Sequence, residues 1–555
     1  MLEQFNNILG IANSFLWHDV VLYTLLATGL LFTFWSGFCQ FRALTHGSRV
    51  ITGKYDRASE PGAISHFQAL SAALSATVGL GNIGGVAIAI ALGGPGAVFW
   101  MWVVGIVGMA LKTTEVTLAM LYRNTDERDN PHGGPMWVAK EGFAKLSPRL
   151  AGFGSALGAV FCITLLISAV TGGNMFQAWN VGLLTQSYFG VPSIVSGVVL
   201  AIVVGLVIIG GIKRIGKVAG TLVPFMCGLY VVAALFVLAN NFSDLPEIFA
   251  LIFRSAFNPI EAQGAFIGGT AASAFLFGMK RALFSNEAGQ GSAPIAHSAA
   301  RTSEPVREGV VAGLEPFIDT LVVCSITALV ILSSGVWNRG PDLELTELPQ
   351  WTQLENGRWS LEDVPVTTAH AGSVDLRPGD QVFMLVELEE ESLSFRQKVS
   401  GSLVMRESGL WTNWSDFSSE VEPQLVDGGV FADYPGATLT GQAFDRVFPG
   451  LGFFLVPLAA WLFAISTMIS WSYYGEQGIV YLFGQRWVFS YRLIYCLLII
   501  AGCAGFIQTE AELDNLTGLG TGVMLFANIP IMLIFGHQAM KAYHSYIRRL
   551  KAKEF

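Results

Sequence analysis

Thr77, Gly79, Gly81, Asn82, Gly84 and Gly85 crowd into the stretch "ALSATVGLGNIGGVAIAIALGGPG", residues 73–96. The stretch is apolar enough to enter a membrane, yet seven of its last eighteen residues are glycine. Glycine in a helix interior costs roughly 1 kcal/mol against alanine. Helix packing accounts for part of the pattern, since Gly81 and Gly85 keep a small-xxx-small spacing. It does not account for Thr77, Gly79 and the polar Asn82 beside them. An unwound stretch does. Membrane backbone must satisfy its own hydrogen bonds unless it lines a polar cavity. A break exposes carbonyls of the preceding half-helix, which bind a cation. It also exposes amides of the following half-helix, which favour an anion. A zwitterion travelling with a coupling ion uses both.

A second glycine-interrupted stretch follows at 264–294, "GAFIGGTAASAFLFGMKRALFSNEAGQGSAP". Two interrupted segments at matching positions in two halves predict an inverted-repeat transporter with its site at the bilayer midplane. The chain around them has the composition for it. Of 555 residues, 52% are hydrophobic and 13% charged, against about 25% charged in soluble proteins. A span needs roughly 20 apolar residues. Eleven stretches qualify, near 18–41, 66–92, 96–121, 153–184, 192–212, 217–240, 262–283, 310–335, 449–476, 488–508 and 518–541. The expected fold is therefore an all-α integral membrane protein. Spans two to six and seven to eleven form the 5+5 repeats, and the first span is an extra N-terminal helix. That first span lacks a basic leader and a cleavage site, so it reads as an uncleaved helix.

Basic residues fall in alternate loops, for example Arg42 to Arg57, Arg123 to Arg149, Lys213 to Lys217 and Lys541 to Lys553. The positive-inside rule then puts the N-terminus outside and the C-terminus in the cytoplasm of a plasma-membrane protein, an inner membrane in a bacterium. The segment 336–448 is different, with 19 acidic and 7 basic residues, a net of 7 − 19 = −12. The chain as a whole is −9, so the acidity belongs to this insert. Runs such as "DQVFMLVELEE" (380–390) and "KVSGSLVM" (398–405) predict a small β-rich domain between spans eight and nine. The expected domains are 1–335 and 437–555 in the membrane and an extracytoplasmic 338–436. The insert reads as a solvated insertion more readily than as a binding cap, and nothing identifies a protein partner for it. All six cysteines lie in predicted spans, so no disulfide stabilises the insert.

The motifs "VGLGNIGGVAIAIALGGPGAVFWMW" (78–102), "GGPM" (133–136), "FSNEAGQGSAPIAH" (284–297), "FIDT" (317–320) and "STMISWSYYGEQ" (466–477) resemble the alanine or glycine:cation symporter family, the sodium:alanine symporters. The likeness covers about 60–335 and 437–541, and the insert departs from it. The family has a leucine-transporter-like fold of five plus five inverted helices. The resemblance implies sodium-coupled import of a small neutral amino acid, alanine or glycine, with sodium as coupling ion and no cofactor. Glutamine or another neutral amino acid is the runner-up cargo. A nutrient sensor with the insert as output is the reading from another class.

Sodium is hard and takes oxygen ligands. The resemblance places it at carbonyls near Ser75 and Val78, the hydroxyls of Ser466 and Thr467, and the Phe463 carbonyl. Read alone, the Ser–Thr pair would back-bond to its own helix. The substrate carboxylate is expected at the amides of Gly79, Leu80 and Gly81 and the side chain of Asn82. The ammonium is expected at carbonyls of a break near Phe275 to Gly278. Asn174 and Gln177 put costly amides into an otherwise apolar span, so they are expected at the ligand or the broken backbone. Phe277 and Trp471 would wall the pocket, although either alone reads as core or lipid-facing.

Other features carry less. "GIKRIGKV" (211–218) matches the start of a phosphate loop but lacks the Ser/Thr and the strand–loop–helix setting. Lys112 and Glu115 are spaced to pair with each other. Glu287, Asp319 and Glu476 read as gate or scaffold groups. No metal spacing of the HExxH type and no nucleophile elbow is present, so an enzyme is not expected.

Overall fold

In the computed structural model most of the chain is helical. The described residues are 2–554 apart from 58, 259–270, 346, 355–357, 367–375, 391–392, 408, 420, 435 and 506–509. The first half runs α1 (Leu2–Leu16), α2 (Asp19–Trp35), α3 (Cys39–Arg42), α4 (His66–Thr77), α5 (Val86–Gly93), α6 (Gly96–Tyr122), α7 (Pro135–Leu146), α8 (Ala151–Val170), α9 (Phe176–Phe189), α10 (Ser193–Ile208) and α11 (Gly211–Asn240). Then come α12 (Leu245–Ser255), α13 (Ala271–Asn286), α14 (Ala293–His297), α15 (Pro305–Ala312) and α16 (Ser325–Ser334). After the strands follow α17 (Ala437–Val447), α18 (Leu451–Phe483), α19 (Val488–Gly502) and α20 (Glu510–Lys551).

Among the described residues, seven helical runs are long and apolar enough to cross a membrane, and α4 with the helix after it adds a bent pair. This is a multi-pass membrane protein. Ile202, Phe225, Val232 and Phe489 are more than half exposed, as side chains facing lipid tails are. Three of the expected spans are shorter as helices. α10 and α13 have 16 residues and α19 has 15. The expectations at 262–283 and 488–508 also reach residues outside the described set. Two spans continue through π-turns, α8 into α9 at Thr171–Met175 and α15 into α16 at Phe317–Cys324. The sequence reading contained no counterpart to α7, α12 and α17. All three are short and amphipathic. α7 and α12 carry proline in their first turn, where the missing N–H costs nothing.

The interrupted α4–α5 segment lies at the centre. Ten of the twelve α4 residues are buried. The helix starts from a capping box, in which Ser65 Oγ accepts from the Gln68 N–H and the Gln68 side chain accepts from the Ser65 N–H. α4 packs against α11, α14 and α18, and α5 against α6 and α13. Such depth is what an opened backbone needs, because lipid has no hydrogen bonds to give it.

Among the described residues, nine strands lie between α16 and α17: β1 (Leu343–Glu344), β2 (Trp351–Gln353), β3 (Arg358–Leu361), β4 (Gln381–Glu390), β5 (Leu393–Arg406), β6 (Gly409–Trp414), β7 (Phe417–Ser418), β8 (Gln424–Leu425) and β9 (Gly429–Ala432). One antiparallel sheet has the order β1-β9-β4-β5-β6 with β8 on β4, and a second has β2-β3-β7. Val382, Met384, Val386, Val399 and Leu403 form its core, the inward face of the alternation in "QVFMLVELEE".

Candidate functional site

α4 ends at Val78, where ψ turns to 89°. The chain restarts as a π-turn at Gly81–Gly85, bent by 54° from α4. Side chains take up the freed backbone. The Gly79 N–H donates to Asn82 Oδ1 at 2.8 Å, and the Leu80 N–H donates to Gln177 Oε1 at 3.3 Å. Gln177 in turn donates to the Gly172 carbonyl at 3.1 Å. Asn82 Nδ2 donates to Asp319 Oδ1 at 2.5 Å. Asp319 also accepts from Ser285 Oγ at 2.9 Å and Thr320 Oγ1 at 2.8 Å. Asn82 is therefore a bridge between the break and a buried carboxylate. It is not among the residues lining the cavity described next.

A narrow cavity opens at the break. It is lined by Thr77, Gly79 and Gly81, by Gln177, by Phe284, Glu287 and Gln290, and by Thr467 and Trp471. Gly79 sets its width, since a Cβ there would stand 2.5 Å from Thr467 Oγ1. Thr467 Oγ1 is buried and has no hydrogen-bond partner among the described residues. Trp471 is fixed from behind by Gly173, whose Cβ would fall 2.3 Å from the indole. Beside the cavity, Ser75 Oγ lies 2.7 Å from both Ser466 Oγ and the Ser466 carbonyl. Ser75, Val78, Phe463, Ser466 and Thr467 are all at most 2% exposed, and α4 packs on α18. Ser466 thus meets α4 one turn before the helix stops.

Other expected residues sit elsewhere. Asn174 donates to the Tyr495 carbonyl at 2.8 Å and ties the π-turn after α8 to α19, away from the cavity lining. α13 is helical through 275–278, so no break exists there and those carbonyls serve the helix. Phe275 stacks on Tyr23 with ring centroids 5.3 Å apart and meets Trp100 edge-on at 4.9 Å. Phe277 packs on Gly93, and Gly278 lets α13 cross α6 closely, its Cβ falling 2.5 Å from the Ala97 carbonyl. The interruption comes at 287–291. Glu287, Gly289 and Gly291 have φ of 56°, 83° and 82°, a left-handed run that glycine permits. Phe284 at the end of α13, with Glu287 and Gln290 just beyond it, lines the cavity where Phe275, Phe277 and Gly278 were expected. They stand in the "FSNEAGQG" motif, about three helical turns further along the chain.

Glu287 accepts from Ser292 Oγ. Beyond it lies a buried ion-pair network. Lys112 Nζ is 3.2 Å from Glu315 and 3.9 Å from Glu115, so its nearer partner is not the one three residues away. His297 bridges Glu315 at 2.7 Å and Glu308 at 2.6 Å. Replacing Lys112 by methionine leaves Glu115 buried without its cation and Glu315 with His297 alone. The expected loss is about 3–5 kcal/mol of stability, read as a lower unfolding temperature in detergent. Glu476 pairs with Arg492 at 2.8 Å.

Comparison with known proteins fits this architecture. The sodium:alanine symporter family profile matches residues 2–362 and 425–555, leaving 363–424 unmatched. The sodium/alanine symporter AgcS of Methanococcus maripaludis is 34% identical over 99% of this chain and 99% of its own. The probable sodium/glutamine symporter GlnT of Bacillus subtilis is 39% identical over 61% of this chain and 68% of its own. A solved structure, MhsT in complex with L-phenylalanine, aligns with 86% of this chain and 90% of its own at 14% identity and a TM-score of 0.46. A centrally broken span, a cavity at the break and a family match along nearly all of the helical chain lead to one assignment: the chain belongs to the sodium:alanine symporter family.

Proposed function

We propose that this protein is a sodium-coupled symporter that imports a small neutral amino acid, alanine or glycine, by alternating access. Glutamine is the alternative cargo, favoured by the likeness to GlnT. The observation that carries the reading is the cavity at the break, lined by Gly79, Gly81, Glu287 and Thr467, whose hydroxyl has no hydrogen-bond partner among the described residues. The amide end of the restarted helix at Gly81 attracts the substrate carboxylate, since the Gly79 and Leu80 N–H groups are held by Asn82 and Gln177, and Glu287 and Gln290 receive the ammonium. Asn82 and Gln177 hold the opened backbone in register for this. Phe284 and Trp471 limit the side chain. Attraction alone would favour larger residues, since each buried CH₂ contributes about 0.8 kcal/mol. A tight wall is therefore what selects alanine or glycine.

Carbonyls near Ser75 and Val78, the hydroxyls of Ser466 and Thr467 and the Phe463 carbonyl are the sodium ligands in this reading. One sodium ion crossing roughly 100 mV yields about 2.3 kcal/mol, and a tenfold gradient adds about 1.4 kcal/mol. That supports accumulation on the order of several hundredfold. The eleven-span 5+5 arrangement, with the N-terminus outside and the C-terminus in the cytoplasm, belongs to the same proposal.

Sodium-gradient uptake into proteoliposomes against a panel of neutral amino acids tests it. Uptake of labelled alanine that unlabelled alanine and glycine compete is the expected result. Sodium-independent uptake, or no uptake of any neutral amino acid, overturns it. Thr467→Val should raise the sodium concentration for half-maximal uptake about tenfold and change amino-acid affinity little at saturating sodium. An unaltered sodium response removes Thr467 from the ion site.

A further inference from the structure

α17 lies in the part of the chain that the family profile matches. It lies on the π-turn that restarts the broken span. Thr440 Oγ1 donates to the Ile83 carbonyl at 3.1 Å, and both residues are fully buried. A π-turn shifts hydrogen bonding out of the α register, so a side chain that takes up one of its carbonyls fixes the shape of the turn. The contact is close along the backbone as well. A Cβ on Gly84 would stand 2.9 Å from the Ala437 nitrogen and 3.2 Å from the Gly436 carbonyl carbon.

The helix making this contact is itself held from its N-terminal side. Gly436 turns the chain into α17 at φ 52°, ψ −120°, a conformation that suits glycine. Four residues earlier, both backbone groups of Ala432 are taken. Its N–H donates to Asp342 Oδ2 at 2.8 Å and its carbonyl accepts from Arg339 at 2.5 Å. Arg339 and Asp342 pair at 3.2 Å, and the guanidinium lies 4.6 Å from the centre of the Tyr434 ring. The strand β9 therefore enters α17 from a fixed point beside α16.

We propose that Thr440 is a positioning residue for substrate binding. Through the Ile83 carbonyl it sets the Gly81–Gly85 turn, and hence the amides that receive the substrate. This rests on the reading of the cavity as the amino-acid site.

The experiment compares Thr440→Val with Thr440→Ser in the full-length protein. Valine keeps the shape and removes the donor, and serine restores it. Thr440→Val should raise the KM for sodium-driven uptake about tenfold or more with less change in maximal rate, and Thr440→Ser should return it to within about threefold of wild type. Equal effects of the two variants, or a wild-type KM in Thr440→Val, overturn the proposal. A second measurement does not depend on cargo. Hydrogen exchange at amides 81–86 should quicken in Thr440→Val and stay near wild type in Thr440→Ser. Unchanged exchange in Thr440→Val overturns the positioning role whatever the protein carries. A wild-type protein without amino-acid uptake, but with this exchange pattern, defeats the cargo reading and leaves the role of Thr440 standing.

Discussion

Gly79→Ala should reduce sodium-driven amino-acid uptake to background, at least a hundredfold loss, in a protein that still folds. The added methyl would lie 2.5 Å from Thr467 Oγ1 and 3.5 Å from Gln177 Oε1. The first distance forces something to shift while the second is an ordinary contact, and the side chain that must give way is the cavity's own wall. Gly79 is not among the glycines with positive φ, so alanine is tolerated by the backbone and the loss comes from filled space. Uptake, ligand-induced thermal stabilisation and size-exclusion behaviour separate these effects. Near-normal uptake by a monodisperse Gly79→Ala protein would mean that substrate does not pass this cavity.

Asn82→Ala is the second large effect. Asn82 satisfies the Gly79 N–H on one side and donates to Asp319 on the other. Its removal leaves a buried amide without an acceptor, at a cost of about 1–3 kcal/mol, and takes one donor from a buried carboxylate. The break is then free to close or wander. Substrate affinity should fall by about 30-fold or more. Asn82→Asp should be worse than Asn82→Ala, because it brings a second carboxylate to Asp319 at hydrogen-bond distance, and like charges in a buried site repel strongly. Binding measured by scintillation proximity would show this order. The reverse order would mean that Asn82 acts as a space-filler and not as a bridge.

Both effects depend on how far the site was legible in the sequence. The break at Val78–Gly81 was readable because glycine and asparagine are expensive in a span, so their presence marks an opened backbone. The family's hydroxyl pair pointed to Ser466 and Thr467, and the structure sets Ser466 against Ser75 and Thr467 in the cavity lining. The second break was expected near Phe275 to Gly278, yet α13 runs through those residues and uses Gly278 for a close crossing on α6; the glycines at 264–269 lie outside the described residues. A glycine that thins a helix interface and one that permits a left-handed turn are the same letter. Residue-level pairing also escaped the sequence. Lys112 finds Glu315 some two hundred residues away, and spacing along one helix cannot anticipate a partner on another. Ser168 and Thr521 reach the cavity from α8 and α20, and an isolated hydroxyl in an apolar helix carries no signal of where it points.

The strands show how such a chain acquires extra mass. Leu343 and Val430 face each other as paired residues of β1 and β9, so the intervening stretch leaves and returns at one spot. The end-to-end distance is already settled before the remainder is counted. Lengthening a closed loop costs only about 0.6 kcal/mol per doubling. Residues 363–424, which the family profile skips, sit inside that closed stem. An ancestor with a short hairpin here could have gained them with little thermodynamic penalty to the helices, and a laboratory could exchange them for a reporter at the same junction.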